Sequence, residues 1–436
     1  MIGFVGLSHL GIVYSLATAA KGMDVLGFDP ASALCDQLDG GEFPVAEPGL
    51  DELYQSHKAR IRFSSDAAEL VRCELIFVSL DVPTDAANRS NLEPLQRLID
   101  AVAGCIAPSA TVVILCQVPP GFTRSLKASL AARGVKWVGN LYYQVETLVF
   151  GNAVERALRP ERFIIGCEDS KTTLPATYAG WLEAFGCPLL LMRYESAELA
   201  KIAVNLYLVS TVSTTNTLAE VCERIGADWS EIAPALRLDR RIGPHAYLAP
   251  GLGIAGGNLE RDLVTVRHLA AENGAEAGII EAWLLDSRYR RDWALRKVHE
   301  LVLSQRVDAT LAIWGLAYKP NTHSTKNSPA LGLIEALPQV AKVGYDPQVT
   351  LDSAAFPRLQ RAGSALDACR RADALVVMTP WDEFGKVEPA QIKRAMSGRV
   401  LIDPFGGLDQ AACLEAGFSY HRLGARSASA SHDLRK

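Results

Sequence analysis

The sequence lacks any pair of cysteines at the CxxC spacing, and its nine cysteines are an odd number at irregular intervals. A zinc site or a disulfide framework would need paired spacings, so neither is predicted, and no metal site is expected. An excess of basic charge is also absent. The net charge of −5 provides no field that would attract nucleic acid or an anionic membrane.

Long apolar runs are missing as well. No run approaches the roughly 20 residues that cross a bilayer, and the N-terminus enters a strand without the basic region of a signal peptide. Because the cysteines also show no paired spacing, a reducing, cytoplasmic location is expected. With 436 residues, of which 49% are hydrophobic and 21% are charged, the chain has the composition of a globular protein with two or three domains.

The first thirty residues contain a strand, a tight turn and a helix start. The turn reads Gly6-Leu7-Ser8-His9-Leu10-Gly11, with serine in place of the middle glycine, and Asp29 ends the following strand. Small residues at a helix N-terminus, with an acid about 20 residues later, are typical of a dinucleotide-binding unit. The expected cofactor is NAD. A carboxylate there accepts hydrogen bonds from the ribose hydroxyls and repels the 2′-phosphate of NADP. A packing turn with a solvated aspartate is the alternative interpretation.

A second unit of this kind begins near residue 311. The strand Leu311–Gly315 is followed by Tyr345-Asp346-Pro347, which repeats Phe28-Asp29-Pro30. Further apolar runs, as at 75–80, predict strands that are buried on both faces of a parallel sheet. The predicted fold class is α/β, with two Rossmann-like, doubly wound parallel-sheet domains that would hold two nucleotide-bearing molecules.

Between the two units the pattern becomes helical. From Glu195 to about Arg224, apolar residues recur at helical spacing, and no glycine or proline occurs before Gly226. We predict one long helix that joins the two α/β regions within a central all-α domain. The breadth of its apolar surface predicts that it also packs against a partner subunit.

Motifs along the middle and end of the chain carry a resemblance to a known family. They are Pro160-Glu161-Arg162-Phe163-Ile164-Ile165-Gly166, Lys201-x-x-x-Asn205, Arg241-Ile242-Gly243, Gly253-x-x-Gly256-Gly257-x-x-x-x-Asp262 and Gly315-Leu316-Ala317-Tyr318-Lys319-Pro320-Asn321-Thr322. Together they resemble the UDP-glucose/GDP-mannose dehydrogenase family over nearly the whole chain. The resemblance implies NAD-dependent oxidation of a nucleotide-linked sugar, expected to be UDP-linked. Typical members oxidise C6 in two steps, through an aldehyde and a cysteine thioester.

The resemblance also implies a division into domains. We expect an NAD-binding domain at 1–193, a helical dimerisation domain at 194–304 and a nucleotide-sugar-binding α/β domain at 305–425. Residues 426–436 are expected to be a disordered tail. A homodimer that forms through the central helix is the expected assembly.

Four side chains receive chemical roles from the resemblance. Lys201 and Asn205, four residues apart on one helix, would stabilise the alkoxide that precedes hydride loss. Asp262 would work with the lysine in moving a proton through water, and Glu146 would be the base for hydrolysis. Without the family, each has a plain alternative: a solvated helix lysine, an acid at a helix N-terminus or a surface charge.

The binding residues follow from the same comparison. The expected cofactor contacts are Gly6, Ser8, His9, Leu10, Gly11, Asp29, Pro83, Thr84, Gln117 and Lys326. The expected substrate contacts are Glu146, Leu148, Lys201, Asn205, Arg241, Gly253, Gly257, Tyr318 and Lys319. Pro83, Thr84 and Gln117 follow predicted strands, and ligands bind at the carboxyl ends of parallel strands. Arg241 would reach the sugar of the neighbouring subunit, and Lys319 would meet the substrate phosphates.

The sequence departs from the family where a cysteine nucleophile is expected. Asn258 occupies that position, and an amide has no nucleophilic atom at neutral pH, so the thioester route is closed. The neighbouring family lysine is Arg261, which keeps the charge but does not exchange protons. The other departures are Gln117, Phe150, His323-Ser324, Lys326 and Phe405. These changes cluster around the reacting carbon and the nucleotide.

Several functions stay open on this basis. The enzyme would stop after the first oxidation, or Glu146 would activate water so that an aldehyde hydrate delivers a second hydride, or the reaction would move to another carbon or sugar. In that third case Asn258 would supply amide hydrogen bonds where the thiol is missing. Cys116, in a loop at a strand end, would be a displaced nucleophile or, as we expect, a buried packing thiol. A non-catalytic nucleotide-sugar-binding or regulatory homologue is the alternative from a different class.

Overall fold

The computed structural model describes residues 1–85, 87–350, 356 and 358–429. The described chain separates into two compact units, of which the first is Met1–Val204 and the second begins at Asn205. None of the described helices is both long enough and apolar enough to cross a membrane. The division into three domains, with boundaries near 193 and 304, stays a prediction.

The first unit contains an eight-stranded sheet. Its strands are β1 (Ile2–Val5), β2 (Val25–Phe28), β3 (Ile61–Ser64), β4 (Leu75–Val78), β5 (Thr111–Ile114), β6 (Leu141–Gln144), β7 (Phe163–Cys167) and β8 (Leu189–Arg193). The spatial order is β3-β2-β1-β4-β5-β6-β7-β8, and all neighbours are parallel except β6 and β7. Strands β1, β2, β4 and β5 are buried along their whole length, as the continuous apolar runs predicted.

Helices connect these strands. They are α1 (His9–Ala20), α2 (Ser32–Asp39), α3 (Leu50–His57), α4 (Glu93–Val102), α5 (Phe122–Ala132), α6 (Ala153–Leu158) and α7 (Ala176–Glu183). Helix α1 is almost entirely apolar, and all of its residues except Ala20 are buried. Because it packs along its whole length, α1 fixes the turn at residues 6–8 against the carboxyl end of β1.

One helix, α8 (Tyr194–Ile225), extends for 32 residues. It confirms the long helix that the sequence predicts from 195 to 224. Helix α8 begins directly after β8, and its residues belong to both units, since the boundary falls after Val204. Its first turns therefore supply side chains to the loops of the first unit.

The second unit contains a seven-stranded sheet. Its strands are β9 (Thr310–Trp314), β10 (Ala341–Tyr345), β11 (Leu359–Arg361), β12 (Ala374–Val377), β13 (Val400–Ile402), β14 (Ser419–His421) and β15 (Ala428–Ser429). The order is β11-β10-β9-β12-β13-β14-β15, and only the β14–β15 pair is antiparallel. Two mainly parallel sheets with interspersed helices confirm the predicted α/β fold class.

The helices of the second unit precede and connect these strands. They are α9 (Trp229–Leu238), α10 (Asn258–Glu272), α11 (Gly278–Arg291), α12 (Trp293–Val298), α13 (Pro329–Ala336), α14 (Ala365–Ala368), α15 (Pro389–Ala395) and α16 (Gln410–Glu415). Strand β15 falls inside the predicted disordered tail and pairs with β14, so the ordered chain continues past residue 426. The rest of that tail, 430–436, lies outside the described residues.

Candidate functional site

The turn between β1 and α1 is as tight as the sequence predicts. Gly6 has a φ of 94°, a left-handed conformation that favours glycine. A Cβ on Gly11 would lie 2.0 Å from the Gly6 carbonyl oxygen, so only glycine fits at the point where helix and strand cross. This close crossing leaves the N-terminus of α1 at the carboxyl edge of the sheet, where a helix binds a phosphate group.

Asp29 ends β2 beside this turn. Its Oδ2 accepts a hydrogen bond from the Leu7 backbone N–H at 3.0 Å, and its Oδ1 accepts one from Ala31 at 3.0 Å. The residue remains partly exposed, so both carboxylate oxygens keep acceptor capacity for a ribose hydroxyl. The turn and the acid together fit a dinucleotide.

Asp81, which the sequence did not single out, also reaches this turn. Its Oδ2 accepts a hydrogen bond from the Leu10 backbone N–H at 3.3 Å. The Ser8 hydroxyl accepts from the Asp81 N–H at 2.8 Å and donates to the Ser79 carbonyl oxygen at 3.3 Å. An exposed carboxylate therefore faces one of the donors that a pyrophosphate would use.

His9 links the turn to a second loop. Its ring Nε2 lies 2.8 Å from Glu47 Oε1, and its ring stacks on Phe150 with 4.2 Å between centroids. The buried Glu47 carboxylate also accepts hydrogen bonds from the Gly151 and Ala153 N–H groups, at 3.0 and 3.1 Å. The network joins the predicted cofactor turn to the loop that follows β6.

The loops after β4 and β5 carry three more of the predicted cofactor residues, whereas Lys326 lies in the second unit, between β9 and α13. Thr84 pairs with Ser90 in an isolated antiparallel bridge, and the Pro83 carbonyl accepts the Asn91 N–H at 2.8 Å. Gln117 lies in the loop after β5.

The end of the same loop is held by Glu198 of α8. This buried carboxylate accepts hydrogen bonds from the N–H groups of Gly121 at 2.6 Å and Thr123 at 2.8 Å.

Glu198 is a second residue that sequence reasoning missed. Burial raises the pKa of its carboxyl above the usual value, while hydrogen bonds from the first turn of α5 oppose that shift. A buried acid at a helix N-terminus fixes the helix that it caps. Glu198 thus anchors α8 to the loop after β5, three residues before Lys201.

The structure brings two predicted catalytic residues together in the first unit. Lys201 Nζ donates to the Glu146 carbonyl oxygen at 2.7 Å and lies 3.4 Å from Glu146 Oε2. Their side chains are only 14% and 15% exposed. The Leu148 N–H donates to the Glu146 carboxylate and closes the loop. A sheltered ammonium and a carboxylate therefore share one position at the carboxyl end of β6.

A second pair forms in the second unit. Asn205 Nδ2 donates to Asp262 Oδ2 at 2.5 Å, and Arg261 Nε lies 3.4 Å from Asp262 Oδ1. Arg261 and Asp262 are 5% and 1% exposed. Arg261 and Asn205 contact different oxygens of this buried carboxylate, so the acid orients the amide of Asn205.

The glycine-rich loop before α10 is held from two sides. A Cβ on Gly253 would lie 2.3 Å from the Ser287 carbonyl oxygen, and one on Gly256 would lie 2.9 Å from the Tyr318 ring. The Gly256 N–H donates to the Lys326 carbonyl oxygen at 3.1 Å. Gly257 caps α10, and Asn258 is its first residue and is exposed.

Two predicted substrate residues lie at the surface of the second unit. Arg241 pairs with Asp239 at 2.7 Å and is not brought to the other site residues of that unit. Lys319 Nζ lies 5.7 Å from the centroid of the Tyr318 ring. Their roles toward a partner subunit and toward phosphates stay predictions.

Cys116 does not have the surroundings of a displaced nucleophile. Cys116 is fully buried between β4 and β5, where its Sγ donates to the Val78 carbonyl oxygen at 3.2 Å. Burial raises the pKa of this thiol far above its usual value, so no thiolate forms near neutral pH. Cys116 is a packing residue, as expected. Within the described ranges, no group of three or more His, Cys, Asp or Glu side chains is arranged to hold a metal ion.

Comparisons with known proteins agree with this geometry. The UDP-glucose/GDP-mannose dehydrogenase family matches in three segments: its NAD-binding domain at residues 1–181, its central domain at 195–285 and its UDP-binding domain at 312–410. The UDP-glucose 6-dehydrogenase of Pseudomonas aeruginosa is 28% identical over 438 residues, covering 96% of each chain. The UDP-glucose 6-dehydrogenase of Rickettsia typhi is 27% identical over 436 residues, covering 98% of this chain and 99% of the relative.

Solved structures show the same fold. The UDP-D-ManNAc dehydrogenase of Pyrococcus horikoshii matches with a TM-score of 0.83 and 23% identity, covering 97% of this chain and 99% of that one. A UDP-glucose dehydrogenase of Pyrobaculum islandicum matches with a TM-score of 0.83 and 24% identity, covering 98% and 97%.

Fold and site together define a nicotinamide-dependent oxidoreductase with two parallel-sheet units. The chain belongs to the UDP-glucose/GDP-mannose dehydrogenase family. It is an NAD-dependent nucleotide-sugar dehydrogenase.

Proposed function

We propose that this chain oxidises a hydroxyl of a UDP-linked hexose without forming a covalent thioester, and that it releases the carbonyl compound after one hydride transfer. The contact of Lys201 with Glu146 carries the proposal, since it supplies a proton-transfer pair and not a nucleophile. The match of residues 312–410 to a UDP-binding domain and the relatives named UDP-glucose 6-dehydrogenase support the substrate class.

The residues of the first unit support the oxidation step. NAD, when bound at the N-terminus of α1, supplies the acceptor for the hydride. The Lys201 ammonium stabilises the negative charge that develops on the sugar oxygen. The adjacent Glu146 carboxylate takes up the proton that the sugar hydroxyl loses. Both side chains are largely sheltered from water, which strengthens these interactions.

The residues of the second unit support the absence of a thioester. Asn258 stands at the start of α10. The family resemblance assigns the nucleophile to this position, where Asn258 would offer amide hydrogen bonds in place of a thiolate. Asp262 is buried against Arg261 and bonded to Asn205. We infer that Asp262 orients Asn205, and that it does not carry protons through water.

A homodimer is part of the proposal. Exposed or partly exposed side chains on α8 recur at alternating spacings of four and three residues: Tyr207, Thr211, Thr214, Leu218, Val221 and Ile225. Tyr207 is 78% exposed and Ile225 is 72% exposed. That spacing is typical of a helix that packs along a second helix. A Leu218→Glu chain should elute as a monomer in size-exclusion chromatography with light scattering, whereas the wild type should elute as a dimer.

Turnover with a panel of nucleotide sugars tests the function. The purified protein should form one NADH per UDP-sugar consumed, and mass spectrometry should find a carbonyl product. A ratio of two with a carboxylate product would support oxidation of an aldehyde hydrate with Glu146 as the base. Tight binding of a sugar with no NADH from any of them would support the non-catalytic homologue.

A further inference from the structure

Asn327 lies in the loop that connects β9 to α13, and its backbone is unusual. Its φ of 52° places it in the left-handed region, which asparagine tolerates better than most other residues but at some cost. Asn327 is not among the predicted site residues, and the sequence alone does not predict this conformation. Strain of this kind persists only where the surroundings enforce it.

The side chain shows what the conformation achieves. Asn327 Nδ2 donates to the Gly256 carbonyl oxygen at 2.8 Å and to Glu260 Oε2 at 2.7 Å. Gly256 belongs to the glycine-rich loop, and Glu260 lies in the first turn of α10, which begins at Asn258. One amide therefore contacts the chain on both sides of Asn258.

The backbone around Asn327 reinforces the same contact. The Gly256 N–H donates to the Lys326 carbonyl oxygen at 3.1 Å. On its other side Gly256 faces the Tyr318 ring, which a Cβ would approach to 2.9 Å. Gly256 is thus contacted by Tyr318, Lys326 and Asn327, all within the segment that also contains Lys319.

We propose that Asn327 is a positioning residue: it fixes the position of Asn258 relative to Tyr318 and Lys319 and so affects how the substrate binds. The proposal rests on the proposed oxidation of a nucleotide sugar only for its effect on turnover. The two hydrogen bonds of Asn327 join the loop that faces the sugar to the loop that faces the nucleotide. The hydrogen bond to Glu260 is charge-assisted, and such bonds are stronger than neutral ones.

Hydrogen exchange measures this role without any ligand. Asn327→Gly keeps the left-handed backbone and removes the amide, so amides in residues 251–258 should exchange about tenfold faster. Arg371→Gly is the matched control, because Arg371 has a φ of 59° in the same unit and lies outside this loop. Arg371→Gly should leave exchange in residues 251–258 unchanged. The proposal is overturned if Asn327→Gly also leaves it unchanged, or if Arg371→Gly accelerates it equally.

A charge swap separates positioning from a general effect on folding. Asn327→Asp places a carboxylate against Glu260, and repulsion should raise the KM for UDP-glucose at least about tenfold, with kcat and the KM for NAD changed much less. Adding Glu260→Gln should bring the KM part of the way back, because the new amide can donate to the carboxylate introduced at position 327, while the hydrogen bond to the Gly256 carbonyl oxygen stays lost. Failure of the rescue, with the double variant folded, would overturn the proposal.

The two tests separate this proposal from the proposed function. If no nucleotide sugar is turned over but Asn327→Gly accelerates exchange in residues 251–258, the proposed function fails and the positioning role stands. If turnover occurs but exchange and KM do not respond to Asn327, the positioning role fails alone.

Discussion

Asp29 and Asp346 end corresponding strands of the two sheets, because β2 lies beside β1 as β10 lies beside β9. Asp29 accepts two backbone hydrogen bonds and remains partly exposed. Asp346 is 4% exposed and accepts five hydrogen bonds, from the N–H groups of Leu316, Ala317, Gln348 and Val349 and from the indole of Trp381. The repeated acid therefore keeps its backbone position in both units. Asp29 remains partly exposed, whereas Asp346 is buried and hydrogen-bonded within the protein.

The loops that these acids hold differ in the same way. In the first unit α1 starts at His9, soon after β1 ends at Val5, and its N-terminus is available to a phosphate. In the second unit β9 ends at Trp314 and α13 starts at Pro329. In the long intervening loop, Tyr318, Lys326 and Asn327 contact Gly256. The first sheet thus ends in a short turn of the dinucleotide-binding type, whereas the second ends in a long loop that is hydrogen-bonded to Gly256.

The largest expected difference is in stability. Asp346→Asn turns an amide N–H toward groups that are themselves donors, so the free energy of unfolding should fall by about 3–4 kcal/mol. Asp29→Asn, the matched change at the corresponding strand, should cost under about 1 kcal/mol. Denaturant unfolding of both variants measures this. Equal losses would mean that the two acids have the same structural role.

Asp29→Asn should instead change cofactor binding. Loss of the carboxylate should raise the KM for NAD about tenfold and weaken the preference for NAD over NADP. Steady-state kinetics with both cofactors provides the measurement. Asp346→Asn, assayed where it is folded, should keep the wild-type preference; a shifted preference would contradict the comparison.

Trp381→Phe removes one of the five hydrogen bonds to Asp346. The ring stays apolar, but the donor 3.1 Å from Asp346 Oδ2 is lost, so the free energy of unfolding should fall by about 1–2 kcal/mol. In the Asp346→Asn background the same change should cost less, because the partner is already altered. Additive losses in a double-mutant cycle would show that the indole does not depend on the acid.

The smallest expected effect concerns Asp81. Its exposed carboxylate accepts the Leu10 N–H at the N-terminus of α1, where a pyrophosphate would place negative charge. Asp81→Asn should lower the KM for NAD about threefold, because a like charge is removed. The gain should shrink at high salt. A higher KM for NAD would show that Asp81 assists the cofactor.

Much of the fold could be predicted from the sequence. Runs such as 75–80 and 111–116 are buried on both faces, and burial leaves an unmistakable apolar pattern. Strand β8 was missed because it is largely exposed, and β11 and β14 are only three residues long. Such strands depend on their neighbours more than on their own composition.

The site was predictable where spacing carried the information. Lys201 and Asn205 lie four residues apart on one helix, as their spacing predicts. The hydrogen bond between Lys201 and Glu146 was not predicted. Glu198, Asp81 and Asn327 were missed, since each is an ordinary polar residue whose partner is distant in the sequence. Their partners are 77, 71 and 71 residues away in the chain, and no local pattern indicates such pairs.

The most direct test of the account is one reaction followed to completion with UDP-glucose and excess NAD, with intact-protein mass recorded during turnover. We expect one NADH per sugar, a carbonyl product and a protein mass that stays unmodified. A covalent acyl adduct on the protein during turnover would contradict the central claim that oxidation proceeds without a nucleophile at residue 258.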